Sequence, residues 1–329
     1  LHSTSRRQRQ MCIRDRIIKR VPGISLIENR FIIVRGLSQR YNNVSINNGA
    51  VPSSEADGRA FSFDIIPSSN IDNMMIIKSP TAELPGDFSG GFIKISTKNM
   101  PDENSLSLSV GTGINTVTHF EDFSLLKSSS TEWLGFDRSA RPLSKDFPSH
   151  LGSITDPAQI TYYTKNGFNN DWNVKTFRPL PDLKFNLTWN RKIGDKVGTI
   201  LTFGYSNANK TIPDMQNTRY GIYSATADVP TIEKNYVDNQ FTNEVKINAM
   251  NNWSFILDSR NRFEFRNLFS QIGKNRFTER YGTSTVSGEY YENQTEMLYS
   301  SRLSYVGQLA GLHTLDEDMT QTLNWTVDY

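Results

Sequence analysis

Apolar and polar residues alternate with a period of two along much of this chain. Leu106, Leu108 and Val110 interleave with Ser105, Ser107 and Ser109. Leu183, Phe185, Leu187 and Trp189 interleave with Lys184, Asn186, Thr188 and Asn190. Val197, Thr199, Leu201, Phe203 and Tyr205 repeat the pattern, as do Leu323, Trp325, Val327 and Tyr329. Period two with one apolar face marks a strand between two different environments, which a membrane barrel and a soluble sandwich both supply. The alternation predicts strands near 104–114, 182–193, 197–209, 241–256, 262–274, 293–309 and 319–329. The intervening connections then run long, short, long, short, long, short. The long ones are 115–181, 210–240 and 275–292; the short ones are 193–196, 258–261 and 311–318. Long loops at one end and short turns at the other are a habit of outer-membrane barrels, and the longer runs fit tilted membrane strands better than globular ones. Trp189, Tyr205, Trp253, Phe255, Phe263, Tyr299, Tyr305 and Trp325 lie at or near the strand ends, as interfacial girdles or as ordinary strand aromatics.

Residues before 100 follow another pattern. Phe31–Val34 is a short apolar run that stops at Arg35-Gly36. Val44-Ser45-Ile46 and Ala50-Val51 flank Asn47-Asn48-Gly49, a hairpin turn signal. Pro67-Ser68-Ser69 opens a predicted helix through about Asn73, followed by a strand over 74–78. That strand ends at Lys78-Ser79-Pro80. A loop containing Gly86 leads to Gly90-Gly91, which launches Phe92-Ile93-Lys94-Ile95-Ser96-Thr97-Lys98. Proline cannot donate to a ladder and glycine permits positive φ, so these residues mark turns between strands.

This succession resembles the plug domain of TonB-dependent outer-membrane receptors. The landmarks Val21-Pro22-Gly23-Ile24, Phe31 to Gly36, Asn43 to Gly49, Asp64 to Pro67 and Lys78 to Lys98 occur in plug order, with Ser79 where glycine is usual. The motif positions are Arg35, Gly36, Asn47, Gly49, Pro67, Lys78, Pro80, Gly86, Gly90, Gly91, Thr97 and Lys98. The resemblance implies an α+β plug over 17–100. Part of an antiparallel transmembrane β-barrel follows over 101–329, with about seven strands of the family's twenty-two, as in a fragment of a longer product. It implies import of a scarce nutrient (siderophore, cobalamin, glycan or peptide) across the cell outer membrane, driven by the TonB energy-coupling complex, with outer-membrane lipid around the barrel. Arg35 would pair with barrel glutamates or stand as a solvated turn residue. A small extracellular ligand would meet Arg40, Tyr41 and Asn42 on the plug together with Tyr162, Tyr163, Phe168 and Trp172 in the first long loop. Aromatic and amide side chains anchor sugars and chelates with few rotamers to freeze. The alternatives are a non-transporting barrel, such as an adhesin or signalling receptor, and a soluble β-rich carbohydrate-binding protein.

Charge and composition change the picture only once residues 1–16 are considered. That segment, with five arginines against Asp15, has no apolar period and is read as a non-native, adapter-like segment; a basic nucleic-acid arm or targeting signal is the other reading. Its net +4 turns the chain's +2 into −2 for the remainder, so no nucleic-acid partner is expected. It also carries Cys12, the single cysteine, leaving no disulfide or thiolate chemistry. Mean hydropathy is −0.51 and no apolar run is long enough for a membrane helix, which a barrel does not need. No cofactor, metal site or catalytic constellation is expected. His119, His150 and His313 read as loop or turn histidines, and Asp137, Asp146 and Asp156 as solvated loop charge. The 86–91 turn differs from a serine nucleophile elbow by one residue and has no His/Asp frame. The reading is therefore of a non-enzyme.

Overall fold

The computed structural model describes residues 22–27, 31–51, 53, 59–63, 66, 70–82, 84–137, 140–169, 171–316, 318 and 320–329. Residues 1–16, Ile17, Val21 and Pro67-Ser68-Ser69 fall outside these, and so does most of the 52–59 loop.

Two strands, β1 (Ile24–Ile27) and β2 (Phe31–Val34), form an antiparallel pair. A small mixed sheet has the order β4-β3-β6-β5, from β3 (Asn43–Ile46), β4 (Gly49–Ala50), β5 (Ile71–Ile77) and β6 (Phe92–Thr97); only β3 and β6 run parallel. Ile24, Ile32, Val34, Ile46, Phe61, Phe63, Ile66, Ile93 and Ile95 make one buried core. Asn47 and Asn48 both have positive φ (51° and 70°), the primed turn that matches hairpin twist. The helix expected through Asn73 is corrected at its end. Ile71 pairs with Thr97 and Asn73 with Ser96, across a bulge, so β5 starts at Ile71.

The alternating segments form a seven-stranded antiparallel meander, β15-β14-β13-β12-β11-β10-β7. The strands are β7 (Ser105–Gly113), β10 (Asp182–Ile193), β11 (Val197–Ser224), β12 (Val229–Ile256), β13 (Asn261–Ser284), β14 (Tyr290–Thr314) and β15 (Thr322–Asp328). Each covers or overlaps its predicted segment. At one end, however, the long loops placed at 210–240 and 275–292 are strand. β11 and β12 each run 28 residues, and β13 and β14 run 24 and 25. Their hairpins close at 225–228 and 285–289, so loop length does not alternate; strand overhang does. The alternation breaks at Pro213-Asp214, where Asp214 has φ 50° and the register shifts between Ile212 and Met215. A bulge is where a proline without an N–H does least harm to a ladder, and pairing resumes beyond it.

Register assigns every residue of the meander to one of two faces. Asn252 donates to Thr97 Oγ1 (3.1 Å), Gln308 donates to the Ile46 carbonyl (2.9 Å), and Leu268 packs on the small-domain core. Those residues, with Thr188, Thr202 and Met250, define the inner face. It carries Ser107, Ser109, Asn186, Lys246, Glu264 and Arg266. The outer face carries Leu106, Leu108, Leu187, Leu201, Phe203, Phe265, Leu303, Leu309 and Val327. All eight aromatics named above as girdle candidates point to this outer face. Asn251 and Asn267 interrupt it as cross-strand partners, and the Tyr305 hydroxyl donates to Asn267 Oδ1 (2.6 Å).

The 115–181 connection is not a plain loop. It holds β8 (Phe123–Leu126), β9 (Val174–Phe177) and helix α1 (Pro157–Asn166). Asp156 caps α1 by accepting from the Ala158 N–H (2.9 Å), and Pro157 occupies the first turn. Asp-Pro ahead of the segment and Gly167 behind it were a readable helix signal. Two expectations are corrected here. Asp137 is buried, not solvated: it pairs with Arg141 and accepts from the Ser129 N–H (2.6 Å). Burial pushes the Arg141 guanidinium below its ordinary pKa. His313 lies within β14 rather than in a loop or turn; His119 is in a turn, as expected, and is buried. Its Nδ1 accepts from the Asn115 N–H (2.7 Å), so Nε2 carries the proton toward Asp182 (3.1 Å).

Candidate functional site

The motif residues gather where the small domain meets the inner face. Asn47 grips Thr97 twice, donating to its hydroxyl (2.9 Å) and accepting from its N–H (2.8 Å). Thr97 is buried and is also the acceptor for Asn252 of β12. The next residue, Lys98, donates its N–H to the Asn70 carbonyl (2.9 Å), while the Asn70 side chain donates to Thr202 of β11. Arg266 of β13 donates to Asn99 Oδ1 (3.1 Å). A Cβ on Gly49 would collide with Gln308 and Asp328, so this turn touches β14 and β15 with nothing to spare. The end of β6 is thus bonded to three consecutive strands through neutral amides and hydroxyls plus one arginine.

Gly90 and Gly91 are required by close approach. A Cβ on Gly90 would collide with Asn42 Oδ1, and one on Gly91 would lie 3.0 Å from Val34. Asn42 is itself buried and donates to the Ile32 carbonyl (2.8 Å). That corrects its place among the ligand candidates: it is a structural amide beneath the apex, not a group offered to solvent. Gly90→Ala is expected to cost the small domain about 1–3 kcal/mol by overpacking, read as a lowered urea midpoint at unchanged m-value.

Above this turn Arg40 stacks on the Tyr41 ring (4.7 Å) and donates to its hydroxyl (2.7 Å); both stay exposed. Beside them Arg59 pairs with Asp87 (2.7 Å), and Asn43 bonds both. The Arg59 hydrogen bond holds the Asp87 carboxyl below its ordinary pKa. The cavity under this cluster is about 50 Å³, room for little more than water. Arg35, with φ 57°, and Gly36, with φ 73°, form the left-handed turn after β2. Arg35 is exposed and has no salt bridge among the described residues. Lys78 donates to the Pro22 carbonyl, while a Cβ on Gly86 would meet nothing. Pro80 is exposed, and Pro67 lies outside the described residues.

The remaining ligand candidates sit elsewhere. Gln271, Asn275, Tyr299 and Ser301 carry odd numbers on strands whose even residues face the small domain. Gln271, Tyr299 and Ser301 hold the Gly135 carbonyl, Asn275 holds Glu132, and Phe241 packs on Phe123. The 115–181 excursion therefore lies on the outer face. Tyr162 and Tyr163 are on α1, and Phe168 and Trp172 line a cleft of about 840 Å³ against β14. The sheet separates these four from Arg40 and Tyr41, so the seven candidates do not form one site. The connection from β7 leaves the sheet toward the outer side, a choice that polarity of the loop residues does not encode.

Among the described residues no group of His, Cys, Asp or Glu could hold a metal ion, and no helix is long and apolar enough to cross a membrane. No protein-family model and no curated protein matches the chain. Solved structures similar to it include siderophore receptors and transporters of ferric citrate, copper and iron. A mutant of the ferric enterobactin receptor PfeA from Pseudomonas aeruginosa, in complex with enterobactin, is 13% identical, with TM-score 0.38, covering 95% of this chain and 42% of that one. The siderophore receptor PirA from Acinetobacter baumannii is 10% identical, with TM-score 0.34 and coverages of 95% and 45%. The ferric citrate transporter FecA in its unliganded form is 10% identical, with TM-score 0.29 and coverages of 95% and 59%. The chain thus spans about half the length of these structures. At TM-scores under 0.5 the superpositions carry no weight for function.

Proposed function

We propose that this chain is the plug and first barrel strands of a TonB-dependent outer-membrane receptor that imports a scarce nutrient. The observation that carries the reading is the pairing of faces. A small domain bearing the plug motifs is bonded to the polar face of a strand meander whose other face is an apolar band. On β12 the outward positions from 247 to 255 make that band. Eight residues at about 3.3 Å each, tilted by about 40°, span about 20 Å, close to the roughly 25 Å lipid-facing band of outer-membrane barrels. Most polar contacts between the two parts are neutral amide and hydroxyl bonds, each worth only about 1 kcal/mol net, with the Arg266–Asn99 bond and the packing of Leu268 beside them, which suits a plug that must shift under an applied force. Ligand would be met from the side of Arg40 and Tyr41, the exposed cation and ring above the glycine turn.

The test is uptake by cells expressing the full protein, offered a panel of labelled siderophores, cobalamin, oligosaccharides and peptides. One member is expected to accumulate only when TonB is present. The double variant Arg40→Ala/Tyr41→Ala should lower its accumulation about tenfold, equivalent to about 1.4 kcal/mol of binding, at unchanged surface level. Accumulation that is equal without TonB would remove the TonB-driven reading. The non-transporting alternative gains from the projecting hairpin tips, where Tyr220, Ile222, Tyr223 and Tyr291 are exposed as in a protein contact surface. Surface display with no uptake of any panel member would favour it.

A further inference from the structure

The cleft between the excursion and β14 is walled on one side by Trp172, Phe168 and Leu143, all largely exposed although the cleft is large enough to cover a ligand. Trp172 is 71% exposed. The other side is polar and ordered. Lys127 bridges to Asp171 (2.9 Å), Arg141 donates to the Lys127 carbonyl (3.2 Å) and stacks on the Tyr299 ring (4.9 Å). The serines at 128–130 and Asn169 add hydroxyls and an amide. Cationic and anionic side chains are matched, so the cleft does not select a charged group. It offers flat rings beside donors and acceptors in alternation, the lining that suits a saccharide. Its volume lies inside the usual ligand-site range of roughly 300–1,000 Å³.

Its height on the wall says where such a saccharide comes from. Tyr299 is an outward residue of β14, four positions from Leu303, the first residue of the apolar band on that strand. At about 3.3 Å per residue the cleft opens about 13 Å along the strand from the band's edge, where a lipid's head group would lie. Tryptophan exposed at that level is favoured at a membrane interface, whereas in open water the same apolar cluster gains nothing.

We propose that this outer-wall cleft binds the saccharide head group of a membrane lipid, whose chains lie along Leu303, Leu309 and their neighbours. The inference rests on the barrel reading but not on transport, and its site is on the opposite face of the sheet from Arg40 and Tyr41. The experiment uses the full protein in nanodiscs of phosphatidylcholine containing a minor fraction of digalactosyl diacylglycerol, with native mass spectrometry of the lipids retained after delipidation. The wild type should retain the glycolipid selectively. Trp172→Ala, at an exposed position that folding does not need, should reduce retention about tenfold, and Trp172→Phe should keep most of it. Equal retention of both lipids, or no effect of Trp172→Ala, would overturn the proposal. Full displacement by free digalactose would overturn the lipid as its source. A full protein that stays outside the discs would overturn the membrane reading along with it, whereas an inserted protein without preference overturns this inference alone.

Discussion

Replacing Arg280 by alanine is expected to loosen the projecting end of the β12–β13 ladder by about 3–5 kcal/mol, because it strands a buried carboxylate. Asp238 is 1% exposed. It receives two parallel bonds from Arg280, Nε to Oδ1 and Nη2 to Oδ2, each 2.7 Å, and a third from Asn217 (3.1 Å). Arg280 also lies over the Tyr236 ring (5.3 Å). The pair sits on the overhang, well beyond the 247–255 band, so water reaches this end of the ladder when it opens. The Arg280 bonds hold the Asp238 carboxyl below its ordinary pKa, and desolvation opposes them. A carboxylate with a depressed folded pKa contributes stability that is complete above its unfolded value near 3.9 and is lost as pH falls through the folded value. The overhang should therefore be indifferent to pH from neutral to about 4 and loosen only in stronger acid. Amide exchange over 234–240 and 276–284, in detergent, reads both effects. Arg280→Ala should speed exchange there at neutral pH, and Asp238→Asn combined with Arg280→Gln should recover part of the loss. Exchange equal to wild type in Arg280→Ala would mean that the overhang is held by its ladder alone.

The central parts of the seven strands were legible because each buries or exposes one face against a uniform environment, which imposes period two on the sequence. The overhangs were not legible for the converse reason. Beyond Ile212 both faces meet water and neighbouring side chains, so Tyr220, Ile222, Val229 and Ile232 carry strand propensity without a clean alternation, and Pro213 and Pro230 read as breakers. At the functional site, residue types could be recognised but not their partners. Asn47, Thr97 and the two glycines stand out by motif. Their work is contact with Asn252, Asn42 and Val34, which only the folded chain brings near. Asn42 looked like an exposed amide because its neighbours Arg40 and Tyr41 are exposed, yet the strand start at Asn43 turns it inward. Trp172 and Phe168 were legible as a binding chemistry, whereas the face they occupy depends on where Gly135 docks. That depends on Gln271 and Gly273, whose close approach to Gly135 leaves no space for a Cβ.

The strand faces make the sharpest contrast available from single substitutions. Leu187 and Thr188 are adjacent on β10 and point to opposite sides. Leu187 lies across from Phe203 on β11 and Leu108 on β7, within the apolar outer band. Thr188 lies across from Thr202, the residue that accepts from Asn70 of the small domain, and from Ser107. If the outer face meets lipid, Leu187→Lys puts an ammonium near the middle of the hydrocarbon and should cost roughly 2–4 kcal/mol of folding free energy. Thr188→Lys enters a face that already holds Lys184, Lys246 and Arg266 among hydroxyls and amides, so its cost should be well under 1 kcal/mol apart from crowding at Asn70. Folding of both variants of the full protein into lipid vesicles, followed by urea titration, measures the difference directly. A larger loss in Thr188→Lys would invert the register and with it the assignment of the small domain to the lumen. Equal small losses would mean that both faces see water, and the soluble β-protein would then be the better reading of the alternation.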